Sequence, residues 1–411
     1  MDISRKEWKS VKAIKLIGMI LLFCLLLSGC ANEVLASTES TDEVSPDYMD
    51  PMQLRILQRC REITGLYHDL YENAVSAATL DQWGDPVLSQ DSIDAIESLL
   101  IEEGMDVLDT KDGYPCHLPT AESFYAFRDA VNRRESEEQE VIQIRESGDL
   151  SYRLFTCRDG IIQVYSVLYP SDGSSGYHYE KHEVLEWELT DRGNFYYRIY
   201  PAGDKHYADY ALIRLTEPDP ELCDKNRTYI GAGGYIGTNI FLTDWTEDDF
   251  GKLSFNDIWE YLYYDRYGTQ FLPEGYAYDL ERHCYLIPAQ EFESVILPYF
   301  EIDLETFRNL AHYDPAGDCY PWCQIQTNDF AFLSFYMVEP EVTACRKNPD
   351  GTITLTVEML STDLKTDCLF AHELTIRPLE NRKFQFVGNQ VTYQTEYGLP
   401  YCEPRLTWDD L

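Results

Sequence analysis

His178, Glu180 and His182 come nearest, by type and spacing, to residues that could do chemistry. On a strand they would share one face, which supplies half of a zinc site. The order His178-Tyr179-Glu180-Lys181-His182 is not the His-Glu-x-x-His of a metalloprotease helix, and spacing offers no third ligand. Exposed polar strand residues are therefore expected. Cys319 and Cys323 enclose three residues, whereas a thioredoxin-like motif encloses two. Pro321 and Trp322 predict a loop there, with a local disulfide or two buried thiols. Gly231 to Gly237 echo a phosphate cradle, but the glycines do not fall as G-x-G-x-x-G. A turn is expected instead. Asp248 with Asp249, and Asp314 with Asp318, lack EF-hand spacing. No Gly-x-Ser-x-Gly elbow or cysteine-protease signature occurs. With 72 acidic residues, carboxylate pairs arise by chance, and glycosidase chemistry depends on their separation in space. These patterns assign no catalytic residue, metal ligand or cofactor.

The sharpest chemistry lies near the N-terminus. Residues 1–15 carry Arg5, Lys6, Lys9, Lys12 and Lys15, and an uncharged run of twelve residues follows from Leu16 to Leu27. A membrane span needs about 20 apolar residues. Basic flank, short apolar core and small residues before a cut are the parts of a secretory signal. Leu27-Ser28-Gly29-Cys30 resembles the lipobox of bacterial lipoproteins. That resemblance implies diacylglycerol on the Cys30 thiol, palmitate among its acyl chains, and cleavage between Gly29 and Cys30. The expected result is a lipid-anchored chain on the extracytoplasmic face of a bacterial cell membrane. Acyl chains hold a protein at about 0.8 kcal/mol per buried CH₂. An uncleaved N-terminal helix is the alternative, and the short apolar run speaks against it.

Residues 1–29 carry five basic and two acidic side chains, so removing them deepens the net charge from −39 to −42. Nucleic acid is excluded as a partner, because its binding needs clustered Lys and Arg. Anionic headgroups are repelled too, which leaves the Cys30 lipid as the link to the membrane. Hydrophobic residues make up 44%, enough for a packed core rather than a disordered polyanion. Beyond Cys24 and Cys30, ten cysteines remain at irregular spacing, and connectivity cannot be read.

Residues 30–49 are rich in Ser, Thr, Asp and Glu and predict a flexible acidic linker. From Pro51 to about Leu80 a helix is expected, since Ile56, Cys60, Ile63, Tyr67, Leu70 and Ala74 recur at helical steps. Ser89 to Gly104 and Thr120 to Asn132 predict two more helices. The acidic run Glu135–Glu140 is expected to be a solvated face or turn. From Val141 the period becomes two, predicting Leu150–Cys157, Ile161–Tyr169, Tyr177–Thr190, Phe195–Tyr200 and Tyr207–Leu215 as an antiparallel meander. Pro218 to Asp224 predicts a boundary. Helices then return at Phe255–Tyr264, at Glu291–Tyr299, and after an Asp303 cap. Strands follow at Phe330–Val338, Val342–Arg346, Thr352–Met359, Leu369–Arg377 and Phe384–Val387.

The organisation expected is α+β in two domains, 50–224 and 225–411, each a helical group followed by an antiparallel meander. A helix packed into the hollow of a sheet, as in cystatin-like or NTF2-like folds, would fit both. Ile287-Pro288-Ala289-Gln290-Glu291-Phe292-Glu293, Pro298-Tyr299-Phe300 and Phe384-Gln385-Phe386-Val387-Gly388-Asn389 resemble an uncharacterised family of lipoproteins from Gram-positive, clostridia-type bacteria. The resemblance implies an envelope lipoprotein and transfers no catalytic residue. Binding of an envelope protein or glycan is expected, with a Tyr- and Trp-lined groove sought near Trp259–Tyr264 or Tyr320–Trp322. The alternative is an envelope hydrolase with catalytic residues scattered in sequence.

Overall fold

The computed structural model describes residues 49–81, 83–110, 115–174, 176–199, 209–325, 338–380, 383–396 and 404–406. The expected signal 1–29, Gly29, Cys30 and all of the linker but Met49 lie outside the described residues, as does most of the strand expected at Phe330–Val338. No described helix is long and apolar enough to cross a membrane. The fold is α+β with antiparallel sheets. Contacts divide the chain into two compact units, Met1–Pro218 and Asp219–Leu411.

In the first unit, helix α1 (Pro51–Val75) starts where Asp50 accepts the amides of Met52 and Gln53, satisfying donors that a helix start leaves unpaired. Ile56, Cys60, Ile63, Tyr67 and Tyr71 face inward. Leu70, expected inside, is exposed. A short hairpin of β1 (Thr79–Leu80) and β2 (Pro86–Val87) precedes α2 (Gln90–Glu102), capped by Ser89, and α3 (Glu122–Arg133) follows. Then comes the meander: β3 (Glu137–Ile144), β4 (Leu150–Arg158), β5 (Ile161–Tyr169), β6 (His178–Leu189), β7 (Asn194–Ile199) and β8 (Asp209–Arg214), paired in chain order.

Strand alternation puts successive side chains on opposite faces. Val141, Phe155 and Val164 pack with Phe124 and Phe127 of α3. Ile142, Leu154 and Tyr165 pack with Ile56, Ile63 and Ile96 of α1 and α2. The sheet thus lies between two helical layers, and each buried large apolar side chain contributes about 1.5–3 kcal/mol. On β6 a register shift at Leu185 changes the phase of alternation. Val184, Trp187 and Leu189 consequently serve one core while Leu185 is exposed. Both sheet edges are met by one segment: Val107 bridges Ile142 of β3, and His117 bridges Arg214 of β8.

From Glu137 the acidic run is strand rather than turn, and Glu135, Glu137 and Glu138 form the solvated face expected, while Gln139 is buried and Glu140 half-buried. Glu138 is paired with Arg55 of α1, and Glu140 takes Arg59 at 3.0 Å and the Tyr152 hydroxyl at 2.8 Å. The two arginines lie about 80 residues away in sequence, so the neutralisation is invisible locally.

The second unit opens at α4 (Pro220–Tyr229), capped by Asp219. The expected boundary stretch is therefore the first turn of a helix. That helix is tied to the second unit, since Asn226 donates to the Pro340 carbonyl at 3.0 Å. The glycine-rich turn that follows has a packing reason: a Cβ on Gly234 would sit 2.1 Å from the Phe241 ring. Next come β9 (Trp245–Thr246), α5 (Phe255–Tyr267), β10 (Ala277–Asp279), β11 (Cys284–Pro288) and α6 (Ala289–Ile296). A 3₁₀ turn (Leu297–Tyr299) leads to α7 (Leu304–Leu310), β12 (Cys319–Trp322), and the strands β13 (Val338–Lys347), β14 (Ile353–Ser361), β15 (Thr366–Pro378) and β16 (Phe384–Gln394).

Strands β10-β11-β12 form a three-stranded sheet, while β13-β14-β15-β16 form the expected meander with β9 added at one edge. An aromatic core joins α5, α6 and β12. Trp259 stacks on Phe292 at 5.3 Å, and Phe292 stacks on Tyr320 at 4.4 Å. Trp259, Tyr320 and Trp322 are wholly buried. They build this core rather than the groove expected of them, because their large apolar area stabilises most when removed from water.

Candidate functional site

The outward face of α6 forms one wall of an open cleft of about 520 Å³. Ala289, Gln290, Glu293, Ser294 and Leu297 lie along it, with Pro298 beyond. Arg308 of α7 and Asp318, just before β12, complete the lining. Local sequence explains the placement. Pro288 ends β11 in an extended conformation and α6 starts at the next residue. The Ala289 amide donates to the Asp318 carbonyl at 2.9 Å, fixing the turn to the helix start. Asp303 caps α7 through the Thr306 amide at 3.0 Å. Asp318 itself has φ +48°, a left-handed conformation that Asp tolerates better than bulkier residues.

Glu293 Oε1 gathers its donors: Arg308 Nε at 2.8 Å and the Tyr320 hydroxyl at 2.9 Å. Burial raises the Tyr320 phenol, and the hydrogen bond to Glu293 adds to the shift, so it stays a donor. The Arg308 guanidinium lies over the Tyr313 ring at 4.2 Å. Its pKa is raised by the bond to Glu293. The Tyr313 hydroxyl donates to Asp318 Oδ1 at 2.7 Å, which raises the phenol. Among the described residues, no donor reaches Glu293 Oε2 or Asp318 Oδ2. The cleft therefore offers two carboxylate oxygens, a planar cation, the Gln290 amide and the Ser294 hydroxyl.

The sequence candidates fall elsewhere or serve other ends. His178, Glu180 and His182 do share one face of β6. Glu180 takes His178 Nε2 at 3.1 Å on one oxygen and His182 Nε2 at 3.2 Å on the other. The His182 bond, ahead of the His178 bond, pulls the Glu180 carboxyl down to about 2. His182 is buried rather than exposed. No group of three or more His, Cys, Asp or Glu among the described residues is arranged to hold a metal. Cys319 to Trp322 is a buried strand rather than a loop. Asp249 shapes a turn by accepting the Gly251 amide. Asp314 accepts the Ala316 amide and so builds the turn that delivers Asp318 to the cleft. Of the residues weighed for chemistry, only Asp318 lines it. The segment Glu291–Tyr299 is readable as amphipathic from its buried side, Phe292, Val295 and Ile296. Gln290, Glu293 and Arg308 carry no comparable signal.

Two buried polar clusters in the second unit hold its structure. The Tyr235 hydroxyl meets His372 Nε2 at 2.7 Å, and His372 Nδ1 meets Asn389 Oδ1 at 2.6 Å. Burial drives the imidazole down to about 4, so it is neutral at pH 7. Arg405 bridges Asp257 and Glu260, both at 2.9 Å, with all three side chains largely hidden from water. Burial raises both carboxyls and the Arg405 charge opposes it. A smaller cleft of about 200 Å³ in the first unit is lined by Arg55, Arg59, Glu62 and Glu140. Its arginines pair with Glu138 and Glu140, as Arg308 pairs with Glu293 in the larger cleft.

Residues 53–405 match the model of a family of unknown function, DUF6070. No curated protein and no solved structure matches the chain.

Proposed function

We propose that this chain, which belongs to the DUF6070 family of unknown function, is a lipid-anchored protein of the extracytoplasmic face of a bacterial membrane that binds an envelope glycan. The observation that carries the reading is the convergence of Gln290, Glu293, Arg308 and Asp318 on one cleft of about 520 Å³. Small-ligand sites span roughly 300–1,000 Å³. Two carboxylates against one guanidinium disfavour anions, as does the charge of the whole chain. Neutral hydroxyls suit the array, since each can donate to a carboxylate and accept from an amide or guanidinium.

Soluble disaccharide fragments of peptidoglycan, titrated calorimetrically into the full chain released by Cys30→Ala, test the cleft. Glu293→Gln and Arg308→Ala should each weaken binding roughly tenfold, about 1.4 kcal/mol. Undiminished binding in both variants would overturn the cleft assignment. Cleavage of the fragments would favour instead a hydrolase using Glu293 and Asp318. The anchor has its own test: Cys30→Ala should move the chain out of the membrane fraction, and unchanged fractionation would sink the lipid reading.

A further inference from the structure

Of the two states the sequence allows for Cys319 and Cys323, a local disulfide or two buried thiols, the structure holds thiols, Cys319 buried and Cys323 half-buried. Cys319 and Cys323 lie along one strand direction, where four residues at about 3.3 Å each separate Cα atoms by about 13 Å. Disulfides need Cα atoms within roughly 7 Å. Strands β11 and β12 are antiparallel, with Pro288 opposite Cys319 and Tyr285 opposite Trp322. Extending that register one step past the end of β12 sets Cys284 opposite Cys323. Directly facing residues put their Cβ atoms on the same side of a sheet, about 4.5–5.5 Å apart. A second contact fits this placement: the Cys323 thiol reaches the carbonyl of His283, the residue before Cys284, at 3.7 Å. The backbone is held there too, since Arg405 Nη1 donates to the Cys323 carbonyl at 2.8 Å. Both cysteines are reduced in the structure; Cys284 is buried and Cys323 half-buried.

We propose that Cys284 and Cys323 are a dithiol modification site that closes to a disulfide when a disulfide oxidant reaches it, stapling the segment that walls the cleft. Cys323, the more accessible, loses its proton to solvent and attacks one sulfur of the oxidant. A mixed disulfide forms and the first oxidant thiol leaves. Cys284 then loses its proton to solvent and attacks the Cys323 sulfur, and the second oxidant thiol leaves. The two protein thiols give up two electrons, one S–S bond forms, and the oxidant disulfide becomes two thiols. Burial, with the Cys323 thiol close by, pushes Cys284 up to about 11, so the second step is the slower one near neutral pH.

Every cleft-lining residue, from Ala289 to Asp318, lies between the two cysteines in sequence. The staple would therefore close the base of the entire cleft-forming segment. The pairing stands on the β11–β12 register, and only its consequence for a ligand rests on the glycan reading.

The test treats the native full chain with oxidised glutathione, alkylates remaining thiols, and maps the digest by mass spectrometry. A crosslinked pair of peptides carrying Cys284 and Cys323, released by dithiothreitol, is expected. Cys319→Ser should crosslink as before. Cys284→Ser should stop at glutathione on Cys323. Amides of residues 289–318 should exchange roughly tenfold more slowly in the oxidised chain. Alkylation of both Cys284 and Cys323 after oxidation, or a bond from Cys323 to Cys319, would overturn the proposal. The glycan titration can fail while this crosslink forms, and the reverse, so the two readings are separable.

Discussion

The first unit builds one six-stranded sheet between two helical layers, whereas the second divides its strands between a three-stranded and a five-stranded sheet. In the first, long strands and long helices bury their apolar faces against each other. In the second, α6 and α7 have only eight and seven residues and are joined by a 3₁₀ turn. Short elements cannot cover one another completely, and the larger cleft lies among them. Continuous packing yields a scaffold; interrupted packing leaves polar side chains facing a hollow.

The units also differ in the charge they bury. In the first, burial pushes the Glu97 carboxyl up to about 7, opposed by hydrogen bonds from Thr110. In the second, burial pushes His372 down to about 4. A raised carboxyl pKa means the folded form holds its proton where the unfolded form has lost it, so stability falls as pH rises from about 4.5 to 7. A depressed imidazole pKa means the unfolded form takes up the proton first, so stability falls as pH drops from about 6.5 to 4. Glu97 and His372 thus contribute opposite slopes across nearly the same window.

The largest effects expected come from the two cores. Phe124→Ala in the first unit and Trp259→Ala in the second should each cost about 3–5 kcal/mol, read by hydrogen exchange in the unit that carries the change. Equal loss of protection in both units from either variant would break the comparison. Next is the Cys284–Cys323 bond, which closes a loop of roughly 40 residues and should stabilise the second unit by about 3–4 kcal/mol. Urea midpoints of oxidised and reduced chain measure this; a shift confined to the first unit would contradict it. The opposed contributions of Glu97 and His372 come third, at about 3 kcal/mol each. Glu97→Gln keeps an acceptor for Thr110 and should flatten the slope of the first unit between pH 4.5 and 7, leaving that of the second unchanged. Exchange corrected for intrinsic rates at both pH values checks it. Smallest is Asp303→Ala, about 1 kcal/mol, seen as faster exchange in α7 alone.

Much of the fold was legible because helices and strands bury one face at a fixed period. Phe124, Phe127 and Val131 mark α3 this way, and Asp303 announces α7. In Glu135–Glu140 charge does mark a solvated face for Glu135, Glu137 and Glu138, but the inward turn of the strand at Gln139 and Glu140 is hidden because Arg59, the partner of Glu140, lies far away in sequence. The β6 bulge at Leu185 likewise breaks a two-residue period that sequence alone would run straight through. The cleft was barely legible. Asp318 lacks the spacing of a calcium loop, and its place in the cleft depends on the Asp314 turn and the Ala289 amide. Trp259 and Trp322 were read as a groove and are core, since an aromatic residue serves either role and only its neighbours decide.

The order of residues alone carries the Cys30 motif, the strong negative charge and the alternation of helical and strand periods, because each is written in adjacent or regularly spaced side chains. The β11–β12 register, which sets Cys284 rather than Cys319 opposite Cys323, came only with the tertiary structure. So did the meeting of Glu293, Arg308 and Asp318. Contacts between residues far apart in sequence depend on how whole elements pack, and no local pattern records that.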